Sequence, residues 1–208
     1  MRCCELVLDF ESYWHMGTGR GDGAIADAIT LVDDAGLPMV PGRTLKGLLR
    51  EAMDVATEAG VMPAGRTIQW FGSGLPGYAD TTDGDEWQES LEKGRLGTQS
   101  GTVWVGSAHL PLVWRQWART QNSASAELAE LFALMHATAV DENGVAKAKT
   151  LRVMQVSIPL TLHAEVRGPR DDDRWLKDLE MALPLIRAIG SHRNRGFGRV
   201  AIRLERHE

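Results

Sequence analysis

Between Gly190 and Val200 the chain runs Gly-Ser-His-Arg-Asn-Arg-Gly-Phe-Gly-Arg-Val, with three glycines and three arginines in one short turn. Glycine lets backbone come close to a ligand, and the exposed amides of such a turn can cradle phosphate while Arg193, Arg195 and Arg199 supply positive charge. A lone glycine-rich turn is more often a helix-ending cap with a solvated basic tail; the density of arginine here favours anion binding. A second basic group, Arg43, Lys46 and Arg50, recurs at helical spacing close to a Pro41-Gly42 lead-in. There the positive end of a helix dipole also attracts anions, so a phosphate backbone can lie across it. Glu51 and Asp54 nearby fit a plain solvated helix face instead, but two basic groups together point to one extended anion. Seven tryptophans are scattered rather than arrayed for base stacking; Trp14, beside His15, is the one placed to reach such a groove.

Elements that must position these groups follow from periodicity. Residues 4–10 alternate, with Cys4, Leu6, Leu8 and Phe10 on one side and Glu5, Val7 and Asp9 on the other, which predicts a half-buried strand. A glycine-dense stretch from Gly17 to Gly23, containing Arg20 and Asp22, leads into an extended arm over Ala26–Val32. Leu45, Leu48, Leu49, Ala52, Val55 and Ala56 form the stripe of a helix over 44–57, with Thr44 available as its cap. From 60 to 101 the pattern dissolves into Gly, Pro, Asp and Thr, a length that marks an insertion.

Val103 and Val105 indicate a short strand, and the alanine- and leucine-rich stretch 124–135 predicts a helix. Asp141-Glu142-Asn143-Gly144 is a tight-turn signal, so a projecting hairpin is expected over 137–152. Met154, Val156, Ile158, Leu160 and Leu162 alternate as one strand, with Pro159 marking an edge or a bulge. A helix follows from Asp171–Asp173 to Gly190, kinked at Pro184, and Val200, Ile202 and Leu204 alternate in a last strand. The whole predicts one α+β domain over 1–208, a sheet with helices on one face.

Composition sets outer bounds. A hydrophobic share of 43% and a charged share of 25% are those of a globular protein. The net charge of −5 gives no overall attraction to nucleic acid, so any nucleic-acid site must be local. Acid concentrates in stretches such as Asp80–Glu92 and Asp171–Asp173. No apolar run approaches membrane-spanning length, which places the protein in the cytoplasm. Cys3 and Cys4, the only cysteines, alternate faces along a strand and suit packing rather than a disulfide or a metal.

Pro41-Gly42-Arg43-Thr44-Leu45-Lys46-Gly47-Leu48-Leu49-Arg50, the turn Gly190–Val200, and the hairpin segment Thr138–Leu151 occur in an order that resembles the backbone subunits of the CRISPR-associated RAMP superfamily. The resemblance implies a ferredoxin-like, modified RNA-recognition-type core with insertions and a thumb-like hairpin. It implies a guide RNA, a complementary target RNA, and other effector subunits, including copies of this chain, as partners of a type III-like effector. RNA contacts are then expected from His15, Arg20, Arg43, Lys46, Arg50, His192, Arg193 and Arg195. The motifs depart from that pattern at Arg43-Thr44 and at Gly190-Ser191, which leaves the subfamily open.

In subunits of this kind that cut target RNA, an aspartate lies between a histidine-glycine segment and the proline-glycine lead-in. Asp27 matches that place, after His15-Met16-Gly17 and before Pro41-Gly42, with Asp22 the competing choice. A single carboxylate is no full metal cage, but it can share a hydrated Mg2+ with RNA phosphate and so help orient an attacking ribose 2′-hydroxyl. A solvated, turn-forming aspartate is the equal alternative. His15 or His192 as general acid or base would instead give metal-independent guide processing, and a purely structural RNA-binding subunit is the third possibility.

Overall fold

The computed structural model describes residues 1–23, 26–73, 99–121, 125–139 and 141–206. Strand β1 (Arg2–Phe10) is the centre of the main sheet, paired antiparallel with β5 (Thr161–Gly168) on one side and β6 (Val200–Arg206) on the other. A two-residue strand β2 (Trp104–Val105) extends the sheet beyond β5, giving the order β2-β5-β1-β6. Helix α1 (Gly42–Glu58) falls between β1 and β2, and helix α5 (Arg174–Ala182) between β5 and β6. The resulting β-α-β-β-α-β order with antiparallel neighbours is the ferredoxin-like arrangement that the motifs imply.

The alternation of β1 decides which face is covered. Cys4, Leu6, Leu8 and Phe10 are buried in one core with Leu45, Leu49 and Met53 of α1 and Trp175, Leu176 and Leu179 of α5. Each fully buried leucine there contributes roughly 1.5–3 kcal/mol. On the opposite face Val7 is also buried, flanked by its register partners His163 and Arg203. That face is otherwise laid with polar groups that pair with one another: His163 is hydrogen-bonded to Glu5, and Arg203 forms ion pairs with Asp9 and Glu205 and Arg167 with Glu165.

Within the predicted insertion, a short helix α2 (Arg66–Phe71) sends Trp70 and Phe71 into the core. The Trp70 indole N–H donates to Asp178 at 2.7 Å, and the Arg66 guanidinium stands 3.7 Å from the same carboxylate, which is buried. Residues 74–98, most of the insertion and the acidic stretch with it, lie outside the described residues.

Several elements differ from their prediction. Ala124 lies outside the described residues, and the rest of the expected helix over 124–135 shrinks to one turn, α4 (Ala126–Ala129), after α3 (Leu112–Thr120). Phe132–Ala137 is a strand instead, β3, paired in a separate two-stranded sheet with β4 (Arg152–Ser157). Pairing with β4 satisfies the backbone that helix propensity would have satisfied locally, an example of tertiary override. The hairpin is therefore longer than 137–152, and its Asn-Gly turn is closed by Asp141 N–H to Val145 C=O and Gly144 N–H to Asp141 C=O.

The alternation over 154–162 is split between two sheets at Ile158–Leu160, where Pro159 has no N–H to donate. Pro184 ends the helix of 171–189 rather than kinking it: a 3-10 turn (Leu183–Leu185) leads to extended chain, and Ala188 pairs with Arg199. Thr44 is not the cap of α1, which starts at Gly42 with Pro41 before it.

The Asp178 carboxylate joins α2 to α5. Asp178→Ala strands the Trp70 N–H and the Arg66 charge, so chemical denaturation should show a loss of about 2–3 kcal/mol with an unchanged denaturant slope.

Candidate nucleic-acid interface

The glycine-rich turn is fastened to the chain just after β1. Ser191 N–H donates to the His15 carbonyl at 3.0 Å, Gly198 N–H to the Tyr13 carbonyl at 2.8 Å, and Ile189 N–H to the Gly198 carbonyl at 2.9 Å. Gly190 (φ +100°) and Gly198 (φ +71°) sit in the left-handed region, and a Cβ on either would collide with a carbonyl, that of His15 or of Ile189. Between these anchors, Arg193–Arg195 form a 3-10 turn preceded by His192, itself left-handed (φ +59°), and all four side chains are exposed.

That turn meets α1. One groove is lined by His15, Thr44, Leu48, Gly190, Ser191 and Arg193. A second, of about 380 Å3, continues along α1 past Glu51 and Val55 to Arg187, Arg193 and Asn194. The α1 residues in these grooves are Thr44, Leu48, Glu51, Ala52 and Val55. Arg43, Lys46 and Arg50 share a different stripe, whose centre lies roughly 150° around the helix at 100° per residue. The start of α1 and the arginine-laden turn thus come together, but through Thr44 and Leu48 rather than the basic trio.

His15 is buried, and its Nδ1 lies 2.7 Å from the Gln155 carbonyl. A carbonyl only accepts, so Nδ1 carries the proton, and burial holds the imidazole pKa below its ordinary value of 6.5. His15 is accordingly neutral at pH 7, with the Nε2 lone pair beside Gly17. It is suited to accept a hydroxyl proton, not to pair with phosphate. Trp14, expected at the groove, is instead fully buried: its ring stacks on Phe10 at 4.3 Å and its N–H donates to the Ile158 carbonyl.

Asp27 is exposed and clasped to β4 from both sides. Its N–H donates to the Val153 carbonyl at 2.8 Å, and the Val153 N–H donates to Asp27 Oδ2 at 2.7 Å. It lines a groove of about 560 Å3 with Arg195 from the glycine-rich turn and with Thr138, Lys149, Thr150 and Arg152 from the hairpin. Arg193 and Arg195 thus face different grooves, one toward α1 and one toward Asp27. Asp22, paired with Ala26 in the arm, does not line the Asp27 groove, and Arg20 is exposed on the same arm. Lys149 and Arg152 were not singled out from sequence; two lysines two residues apart after the Asn-Gly turn were the available signal.

Charge pairing separates the cations into two sets. Among the described residues, Arg2, Arg66, Arg115, Arg119, Arg167, Arg174, Arg199, Arg203 and Arg206 each have a carboxylate partner. No such ion pair among them involves Arg20, Arg43, Lys46, Arg50, Lys147, Lys149, Arg152, Arg170, Lys177, Arg187, Arg193 or Arg195. Also among the described residues, no three His, Cys, Asp or Glu side chains form a metal cage. An ion at Asp27 would take its remaining ligands from water and phosphate. The cations around it repel a dication until a phosphate neutralises them.

These features define an α+β protein of ferredoxin-like topology whose unpaired cations include those lining a glycine-rich turn and its neighbouring grooves. The model of the RAMP superfamily matches residues 7–201, and the chain belongs to that superfamily. Its structure is similar to a chain of the type III-B Cmr-beta complex in the apo state, with a TM-score of 0.64 at 10% identity over 98% of this chain and 97% of that one. A chain of Cmr-beta bound to cognate target RNA gives 0.63 at 8% identity, again over 98% and 97%. A chain of a type IV-B CRISPR complex gives 0.56 at 13% identity over 97% and 90%. At these identities it is the fold that is shared. No curated protein matches the chain in sequence. Among the described residues no helix is long and apolar enough to cross a membrane.

Because the folded state resists protonating His15, stability is full above the unfolded value near 6.5 and falls as pH drops through it. Wild type should therefore lose more unfolding free energy between pH 7 and pH 5 than His15→Asn does; parallel pH profiles would refute this.

Proposed function

We propose that this chain is a guide-RNA-binding backbone subunit of a type III-like CRISPR effector, and that it cleaves bound target RNA at Asp27 with a divalent metal, Mg2+. Superfamily membership and a fold shared with Cmr-beta subunits support the role. The observation that carries it is the convergence of the glycine-rich turn with the first turns of α1, on a molecule whose groove-lining arginines have no carboxylate partner among the described residues. Arg193 and Arg187 hold the guide's phosphates without reading sequence, since the guide's own base pairing specifies the target. Arg43, Lys46 and Arg50, on another stripe of α1, take further phosphates where the strand passes around the start of the helix, and Arg20 and the exposed His192 add to these contacts. The chain packs against copies of itself or related subunits along the guide, with the β3–β4 hairpin reaching toward a neighbour.

At Asp27 the reaction is an internal transfer within the target strand. The 2′-oxygen bonds to the adjacent phosphorus, the bond from phosphorus to O5′ breaks, and the proton lost by the 2′-hydroxyl is matched by the one O5′ gains. The products are a 2′,3′-cyclic phosphate and a 5′-hydroxyl. The bond from Val153 to Oδ2 restrains the Asp27 carboxylate beside the groove that it lines, and leaves Oδ1 for a ligand. A bound Mg2+ would supply charge stabilisation on the phosphate oxygens. The lone pair of neutral His15 Nε2 favours a second reading, proton transfer from a guide ribose hydroxyl without metal; exposed His192 is its other candidate.

Guide-loaded complex supplied with labelled complementary RNA should cut it only with Mg2+, and Asp27→Ala should lower the rate at least a hundredfold. Unchanged cutting by Asp27→Ala sinks the catalytic assignment, persistence in chelator favours the histidine reading, and intact RNA throughout favours a purely structural subunit. Lys46→Ala with Arg193→Ala should weaken guide binding and reduce the slope of log affinity against log salt by about 1–2, as fewer counterions are released; an unchanged slope would remove these residues from the phosphate track.

A further inference from the structure

The Asp27 groove holds a residue whose backbone is held in an unusual conformation. Lys149 has φ +62°, in the left-handed region that lysine seldom adopts, and its side chain is exposed. Thr150 holds it there: its Oγ1 donates to the Lys147 carbonyl at 2.8 Å, accepts from the Ala139 N–H at 3.1 Å, and lies 2.9 Å from Thr138 Oγ1. Strain maintained by a dedicated network is a mark of a functional position. Across the groove stand Asp27 and Arg195, with Arg152 at the start of β4. Three cations against one carboxylate leave the groove two charges positive, and none of the three has an ion-pair partner among the described residues. Such a site is built for an anion with more than one oxygen to present.

We infer that Lys149 and Arg195 seat the scissile phosphate of the target strand over Asp27, one cation from the hairpin and one from the glycine-rich turn. They neutralise the charge that grows on the two non-bridging oxygens as the 2′-oxygen bonds to phosphorus and the bond to O5′ breaks. This rests on cleavage at Asp27 as proposed above. It also gives the hairpin a part in the chemistry, because the seat is complete only when Lys149 is held in its left-handed conformation beside β4.

The test uses guide-loaded complex and two target strands, both 2′-deoxy at the nucleotide that wild type cuts so that neither is cleaved. One carries the ordinary phosphate at that linkage and the other a neutral methylphosphonate. Wild type should bind the methylphosphonate strand about tenfold more weakly. Lys149→Asn, which tolerates the left-handed backbone, and Arg195→Gln should each discriminate between the strands several-fold less than wild type. On cleavable RNA, Lys149→Asn should cut at least about tenfold more slowly and Lys149→Arg should restore most of the rate. Variants that keep the wild-type discrimination, or that cut at the wild-type rate, overturn the seat. If Asp27→Ala is inactive while both variants behave as wild type, the seat alone fails; if Asp27→Ala cuts normally, or wild type cuts nothing, the assignment of cleavage to Asp27 fails with it.

Discussion

Two backbone hydrogen bonds, from Ser191 to the His15 carbonyl and from Gly198 to the Tyr13 carbonyl, bind the glycine-rich turn to the segment leaving β1. The close approaches at the turn's two ends leave no room for a Cβ, which would strike the His15 carbonyl at Gly190 and the Ile189 carbonyl at Gly198. Because the turn is fixed at its two ends, its middle is free to carry exposed charge. Arg193 then falls beside α1 and Arg195 beside Asp27, so one short turn serves two grooves.

A net charge of −5 is reconciled with anion binding by where the acids are used. On the open face of the sheet Glu5, Asp9, Glu165 and Glu205 are engaged by His163, Arg203 and Arg167, and Trp104 lies against the Arg167 guanidinium at 4.9 Å. An RNA-recognition sheet presents aromatic rings for stacking on that face. Here that face carries side chains paired with one another, and among the described residues cations without a carboxylate partner stand on turns, arm, helix and hairpin instead. The field that an RNA would meet is therefore local and directional rather than a property of the whole chain.

In the main sheet β1 and β6 were legible because each alternates, and α1 because it keeps a clean apolar stripe, whereas the alternation read over 154–162 stopped at the second residue of β5. β3 was not legible, since Leu128, Leu131, Phe132 and Met135 share one face at helical spacing and only the pairing with β4 decides for a strand. The unbroken alternation through Ile158 hid a change of sheet that Pro159 makes necessary. Asp27 was singled out from motif order and Arg193 and Arg195 from the density of arginine, and the structure sets Asp27 and Arg195 in one groove and Arg193 in another, whereas Trp14 was misplaced because adjacency to His15 along the chain says nothing of which way a ring turns. The contribution of Lys149 rests on a left-handed backbone and on convergence of three distant segments, and neither property leaves a mark in residue order.

Cross-linking within the assembled ribonucleoprotein addresses the central claim, that the joint between α1 and the turn after α5 grips a ribose-phosphate chain. With photoreactive nucleotides placed along the guide, mass spectrometry should find adducts concentrated in the peptides that span residues 41–50 and 187–199. Adducts confined to the open sheet face, on Trp104, Arg167 or Arg203, with none on those two peptides, would contradict it.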